Sequence, residues 1–391
     1  MRKAIETLKN IWKIEDLRQR ILITILFVAI YRFGSYVVLP GINPAMLTQL
    51  HQQTSEGLLA LLNMFSGGAF SNASIFALGI MPYISASIVI QLLGIAVPYF
   101  QKLQREGESG RRKMNQYTRY LTILILLVQA PSYLLNLKMQ AGPSLNASLD
   151  WTLFMVTSTI ILAAGSMFIL WLGERITENG VGNGISIVLL INIISGMPSD
   201  FATLYSTFVA PRTIAKGVLA AAIIIAILVV MVVLVCFLQD GERRIPVQYS
   251  QKVSGRKTFG GQSTNIPLKV NTAGVMPVIF ASSLMQFPVI IAQLFGKSYE
   301  WTRYLSSSYW CRISAPKYSI GLILYIVLLI IFAYFYTSIT FNPIEVADNL
   351  KKAGGVIPGI TPGKSTSDYL NNILNYIVFV GAVGLLIIAL I

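Results

Sequence analysis

The chain has 391 residues, 54% hydrophobic and only 12% charged, with a formal net charge of +14 at pH 7. Soluble domains carry about 25% charged residues, so this composition excludes a soluble enzyme and points to a membrane protein with a basic face. Two widely separated cysteines, Cys236 and Cys311, and a single histidine, His51, give no support to a metal site or a disulfide framework.

Met1 to Arg20 is of mixed charge, with Ile5, Leu8, Ile11 and Trp12 on one side of a helix. It reads as an amphipathic anchor at the membrane surface rather than a cleavable signal. Nine apolar segments then have the length of a span, at about 21–39, 74–97, 118–137, 151–172, 185–207, 217–238, 271–295, 318–340 and 369–391. Arg32 and Pro82 interrupt two of them. With alternate loops assigned to opposite sides, one side holds 21 Lys and Arg and the other 7. The basic side includes the N-terminus, which is therefore expected in the cytoplasm.

Residues Leu58, Leu59, Leu61, Leu62, Met64 and Phe65 belong to a short apolar run before the second span. As a helix, 58–65 covers roughly 12 Å, against ~30 Å for a hydrocarbon core. It cannot span. Gly67 and Gly68 break it, and Asn72-Ala73-Ser74 supplies a start for the second span. Such a piece is either re-entrant, folded back into protein, or an amphipathic helix on the outer leaflet.

Segment 98–116 reads as basic at both ends and flexible in the middle, and Gly142-Pro143 as a polar turn. The glycines of GERITENGVGNG follow a span rather than a strand, so a tight turn with Asn183 opening the fifth span is expected instead of a nucleotide loop. Segment 239–270 is long, basic and irregular, with Val247, Tyr249 and Val253 permitting short strands between Pro246 and Pro267. PGKST at 362–366 lacks the glycine a phosphate-binding loop needs, since Pro358 stands there.

Every Asp and Glu falls in a loop or at a span edge, and the serines within spans (Ser85, Ser87, Ser282, Ser283) have no histidine or lysine base beside them. Catalysis and carboxylate-relayed ion coupling are not expected. At mid-depth the second span offers Ile80 and Ile84, roughly 9 and 15 Å in, and the seventh Val275 and Ile279, roughly 6 and 12 Å in, each pair on one helix face. Leu189 on the fifth span is similarly deep. By the residues alone these five are either core packing or the lining of a passage. Ser87 and Gln91 continue the Ile80/Ile84 face.

FALGIMPYISASIVIQLL (76–93) with EGESGRRK (106–113), GERITENGVGNGISI (173–187), RRIPVQY (243–249), PLKVNTAGVMPVIFASS (267–283) and KKAGGVIPGITPG (351–363) closely resemble the SecY family, the pore subunit of the bacterial protein translocon. The likeness covers essentially the whole chain in order. It implies an all-α polytopic bundle of ten spans in two inverted five-span halves, with nine matched here: a cytoplasmic helix at 1–20, an N-terminal half at 21–207 and a C-terminal half at 208–391. It implies a non-enzymatic channel for unfolded secretory polypeptides, which releases hydrophobic segments sideways into the bilayer. By the same resemblance 57–68 is the plug, and Ile80, Ile84, Leu189, Val275 and Ile279 form an apolar pore ring. Ser87, Gln91 and Thr122 would face Ser282, Ser283 and Gln286 across a lateral gate.

Expected partners are SecE-like and SecG-like membrane subunits, a SecA motor or a ribosome, signal peptides and nascent chains, and the lipid of a bacterial inner membrane; no cofactor is expected. Arg243, Arg244, Lys252, Arg256 and Lys257 are the docking candidates. Where many family members carry arginine in the IPGITPG turn this chain has Thr361, and Lys364 is its nearest substitute. A solute transporter and a non-conducting insertase or scaffold are the alternative readings.

Overall fold

The computed structural model describes residues 12–43, 47, 58–141, 150–210, 214–249, 252–254, 257–259, 263–294, 301–305, 310 and 319–390. Residues 1–11, most of the 42–56 loop with His51, the Gly142-Pro143 turn, Arg256 and Cys311 lie outside these. The chain divides into two compact units, Met1–Ser206 with Gln286–Gly321 and Thr207–Met285 with Leu322–Ile391.

The first unit opens with α1 (Glu15–Gly34), whose first turn carries Glu15 and Asp16 and whose last carries Arg32, a charge order matched to the helix dipole. The short α2 (Leu58–Phe65) follows, then α3 (Met81–Ala96), α4 (Pro98–Arg105), α5 (Glu108–Ala141), α6 (Trp151–Asn179) and α7 (Gly184–Leu204). A single π turn, Tyr205–Val209, continues from α7. Helix α5 packs on α3, α4 and α6; α6 also packs on α1 and α7, and α2 on α7.

Four local expectations change. The second span was expected to begin as helix at Ser74, but residues 66–80 form turns and helix starts only at Met81. Ser74 is instead bridged to Val38: the Leu39 amide donates to the Ala73 carbonyl at 2.9 Å and the Ile75 amide to the Val37 carbonyl at 2.9 Å. Pro82, read from sequence as an interruption, sits in the first turn of α3, where its missing N–H costs nothing.

Segment 98–116 is helical rather than flexible. Only Glu106 and Gly107 separate α4 from α5, and Arg112 pairs with Glu108 one turn earlier at 2.8 Å. GERITEN is also helix, the last turns of α6, tied by Arg175–Glu178 at 2.7 Å. The tight turn that follows is as expected: the Asn183 Oδ1 accepts from the Ile185 and Ser186 amides at 3.0 and 3.3 Å, capping α7. Replacing Asn183 with alanine should cost ~1 kcal/mol of stability, seen as a small drop in the melting temperature of detergent-purified protein.

The core of this unit lies beneath the 66–80 turns. Phe70, Ala73 and Ala77 are buried against Leu39, Ala130, Tyr133, Leu134, Leu137, Phe154 and Leu162. The buried Tyr133 hydroxyl donates to the Phe70 carbonyl at 2.9 Å, and Phe76 stacks between Tyr31 and Phe168 at 5.8 and 6.0 Å. Gly165 on α6 admits the approach of this segment, because a Cβ there would overlap the Ile75 carbonyl. Irregular backbone is thus enclosed by protein, the condition under which it is tolerated at membrane depth.

The second unit holds α8 (Ile214–Asp240), α11 (Ile320–Thr340), α12 (Pro343–Lys352) and α13 (Lys364–Leu390). Helix α9 (Met276–Leu294) belongs to it through Met285; the short α10 (Thr302–Leu305) belongs to the first unit. By length and composition six of the described helices are apolar enough to cross a membrane, or seven if α3 and α4, bent by 101°, count as one. The first expected span corresponds to α1, with Arg18, Arg20 and Arg32, and the seventh to α9, apolar over Met276–Met285.

Segment 239–270 is more ordered than its composition suggests. Strand β1 (Glu242–Tyr249) pairs antiparallel with β4 (Ser263–Lys269), and β2 (Lys252–Ser254) with β3 (Lys257–Phe259) forms a hairpin between them. Pro246 and Pro267, which rule out a continuous helix here, pair with Asn265 and Arg244, two register steps apart and so at the same phase of the ladder. In that phase neither ring need interrupt a hydrogen-bonded pair. A further strand, β5 (Gly355–Val356), adds to the other edge of β1. Ile245, Val247 and Leu268 then bury against Leu350, Ile357, Leu370, Ile373 and Ile377.

Candidate functional site

Helix α2 ends on a Schellman arrangement. The Gly68 amide donates to the Asn63 carbonyl at 2.9 Å and the Gly67 amide to the Met64 carbonyl at 3.1 Å, with Gly67 at φ +64° and Gly68 at φ +85°. This motif leaves carbonyls beyond the last turn pointing outward, and here three successive ones meet side chains. The Asn192 Nδ2 on α7 donates to the Phe65 carbonyl at 2.6 Å, the Tyr31 hydroxyl to that of Ser66 at 3.5 Å, and the Arg32 Nη1 to that of Gly67 at 3.0 Å.

Arg32 also donates to the Tyr36 hydroxyl at 3.5 Å and lies 5.6 Å from its ring centre. An arginine within a span is costly to desolvate, and these contacts offset part of that cost. Asn192 is 1% exposed, and its Oδ1 has no hydrogen-bond partner among the described residues. A Cβ on Gly67 would sit 2.7 Å from both the Arg32 Nη1 and that Oδ1. Arg32 was legible in the sequence as an interruption of a span; Tyr31 and Asn192 were not singled out.

Of the expected plug residues, Leu62 is half-buried, Met64 exposed and Phe65 buried; Leu58, Leu59 and Leu61 are placed in α2 by their backbone. Ile80 precedes the first turn of α3 and accepts from the Ile84 amide at 3.1 Å, so the expected i,i+4 pairing holds although the helix starts later. Both side chains are buried, and Leu189 on α7 is half-buried. On the second unit Ile279 is 7% exposed and Val275, at the start of α9, 57%.

The polar residues expected at span interfaces bond mostly within their own helices. The Gln91 Nε2 donates to the Ser87 Oγ at 3.2 Å, and the Thr122 Oγ1 to the Thr118 carbonyl at 2.7 Å. On α9, Ser282 is hydrogen-bonded to Tyr325 of α11, while the buried Ser283 Oγ has no partner among the described residues. Gln286 is placed in α9 by its backbone.

Among the basic candidates, Arg243 and Arg244 are exposed on β1, and Arg244 pairs with Glu242 at 2.6 Å. Lys252 and Lys257 lie on the β2–β3 hairpin, where Ser254 pairs with Lys257. Lys364 is exposed at the first position of α13, and the Thr366 hydroxyl donates to the Thr361 carbonyl at 2.9 Å, closing the turn that holds Thr361. Sequence reasoning missed that the 239–270 and 341–368 segments share a sheet. Tyr249 pairs with Gly355 and Gln248 with Val356.

Solved structures share this fold, two of them as follows. One, described as a protein conducting channel, superposes with a TM-score of 0.64 at 18% identity, covering 94% of this chain and 84% of that one. The other, Sec61 in the canine ribosome-channel complex from the endoplasmic reticulum, gives 0.59 at 17% identity with the same coverage of each chain, 94% and 84%. The fold is that of a polytopic protein-conducting channel. The SecY family profile matches residues 74–391. Protein translocase subunit SecY of Streptomyces galbus is 41% identical over 386 residues, 96% of this chain and 86% of that protein. The subunit of the same name from Escherichia coli K12 is 41% identical over 379 residues, 96% and 84%. The chain belongs to the SecY family.

Proposed function

We propose that the chain is the pore-forming subunit of a protein translocase in a bacterial inner membrane. It is a passage rather than an enzyme, carrying unfolded polypeptides across and releasing apolar segments into the bilayer. The observation that carries this reading is α2: an apolar helix of eight residues, too short to span, whose end is bound inside the first unit. A transporter is disfavoured by the lack of carboxylates and histidines within the spans of the sequence, and an insertase or scaffold by the plug and the apolar waist.

In this reading Leu58 to Phe65 is the plug. Ile80, Ile84, Leu189, Val275 and Ile279 line the constriction, which excludes ions by dewetting yet yields to a chain. Ser87, Gln91 and Thr122, with Ser282, Ser283 and Gln286, belong to a gate through which an apolar segment leaves. The halves are 21–207 and 208–391, and the N-terminus is cytoplasmic. SecE-like and SecG-like subunits complete the channel, and a SecA-type motor or a ribosome drives it.

The test uses the assembled channel with Cys236 and Cys311 changed to serine and Met64→Cys as a reporter. A membrane-impermeant maleimide on the outer side should label residue 64 several-fold faster when a substrate is trapped in transit than at rest. Equal rates would overturn the plug reading.

Docking is assigned to Arg243 and Arg244 on β1 and to Lys364, which are exposed, together with Lys252, Arg256 and Lys257 in the stretch between β1 and β4. Changing Arg243, Arg244, Arg256 and Lys257 to glutamate should abolish motor or ribosome binding, measured by co-sedimentation at low salt where screening is weakest. Protein abundance should hardly fall, because Arg243 and Arg244 are exposed and surface charges contribute ~0–1 kcal/mol to folding.

A further inference from the structure

The end of α2 is held more firmly than a glycine hinge requires, and by groups that the membrane makes expensive. Its Schellman turn satisfies the amides of Gly67 and Gly68 but leaves the Phe65 and Gly67 carbonyls without a backbone donor among the described residues. Carbonyls at a helix C-terminus carry the negative end of the helix dipole. Arg32 brings a full positive charge to Gly67 at 3.0 Å, and Asn192 closes on Phe65 at 2.6 Å from another helix. These side chains come from two different helices, α1 and α7.

Glycine at position 67 is required twice over. Its φ of +64° disfavours other residues, and any Cβ would strike the Arg32 guanidinium and the Asn192 amide. The unpartnered Asn192 Oδ1 faces the same spot. A buried amide left half-satisfied is costly, and here its orientation is set by the bond its nitrogen gives to Phe65.

We infer that Arg32 and Asn192 are positioning residues for the plug. They clamp its C-terminal carbonyls to α1 and α7 and so set how strongly the closed state is favoured. The plug therefore pivots about Gly67 and Gly68 as a tethered flap, and opening requires the clamp to yield. This inference rests on the plug reading above. Arg32 acts as the donor of a charge-assisted bond, so lysine should serve in its place and an apolar side chain of similar length should not.

The experiment measures resting ion conductance of the assembled channel in planar bilayers, maleimide labelling of Met64→Cys, and abundance of the intact complex. The variants are Arg32→Met, Arg32→Lys, Asn192→Leu, Tyr31→Phe and a deletion of residues 58–65. With one charge-assisted bond lost, Arg32→Met should raise resting conductance and labelling roughly tenfold. Asn192→Leu should do so to a lesser degree. Arg32→Lys should restore most of the seal, and Tyr31→Phe, which removes the long 3.5 Å bond to Ser66 together with side-chain bonds to Asn192 and Ser35, should raise leak and labelling no more than Asn192→Leu does.

If the deletion leaks while Arg32→Met and Asn192→Leu stay as tight as the parent, the clamp is wrong and the plug stands. If the deletion does not leak either, the plug reading falls and takes the clamp with it. Loss of abundance without leak, or equal leak from Arg32→Lys and Arg32→Met, also overturns the inference. Should Arg32→Met fail to assemble, the Asn192→Leu result decides alone.

Discussion

Asparagine at Ile80, Ile84 or Ile279 should raise ion leak at rest and let proteins with defective signal sequences through. These side chains are 1%, 7% and 7% exposed in their respective units. An amide buried at a dry position without a partner costs about 1–3 kcal/mol. A constriction opened for substrate is wet and satisfies the same amide, so the penalty falls on the closed state and the balance moves toward opening by roughly 5- to 150-fold. A residue that only packs behaves otherwise. Ile90, also on α3 and 5% exposed, is the internal comparison: Ile90→Asn should lower abundance and gain no conductance. Resting conductance measured beside the amount of intact complex separates the outcomes, and ring variants that are scarce but tight would refute the assignment.

The second large effect concerns the packing that holds 66–80 in place. Gly165→Ala should cost about 3 kcal/mol or more, at or beyond the upper end of the usual range for overpacking. The atom in the way is the Ile75 carbonyl, with the Phe76 ring beside it, and its backbone is held by the two hydrogen bonds of the adjoining Val38–Ser74 bridge, so the oxygen cannot swing aside. Gly196→Ala on α7 is the matched control, since a Cβ there meets nothing nearer than the Asp200 carboxylate at 3.6 Å. Alanine is the better helix former by ~1 kcal/mol, so the control should be neutral or stabilising. Melting temperatures of the purified protein should move in opposite directions, and a shared drop would show that helix propensity was misjudged.

The long apolar runs were legible in the sequence because membrane burial depends on composition over some twenty residues and hardly on context. The shortness of 58–65 was legible for the same reason, as was the Asn183 cap, where a side chain acts on amides two and three residues away. Residues 74–80 misled because Ser-Ile-Phe-Ala-Leu reads as the start of a helix. What wins is tertiary: the pairing with Val37 to Leu39 and the stacking of Phe76 between two rings from other helices.

The clamp could be half seen. An arginine inside a span announces a function, but its target is a backbone carbonyl, and no residue type marks which carbonyl will be free. Asn192 gave no signal beyond being a polar residue in an apolar helix. Strand β5 has two residues, too few for any periodicity, so the sheet that joins two loops was invisible until the chain was folded.

That sheet has a mechanical consequence. Under the docking proposed above, a load applied at the hairpin would pass along β1, and β1 is fastened on one edge to β4 and on the other to β5. Pulled lengthwise, the ladder bonds of such a strand lie across the direction of force and must give way together instead of one at a time. Buried beneath it, Leu370, Ile373 and Ile377 of α13 share the same apolar cluster as Ile245 and Val247. Under that proposal the handle is rooted in a membrane-length helix, and a push on the hairpin would be delivered to α13 as displacement rather than dissipated in a loop.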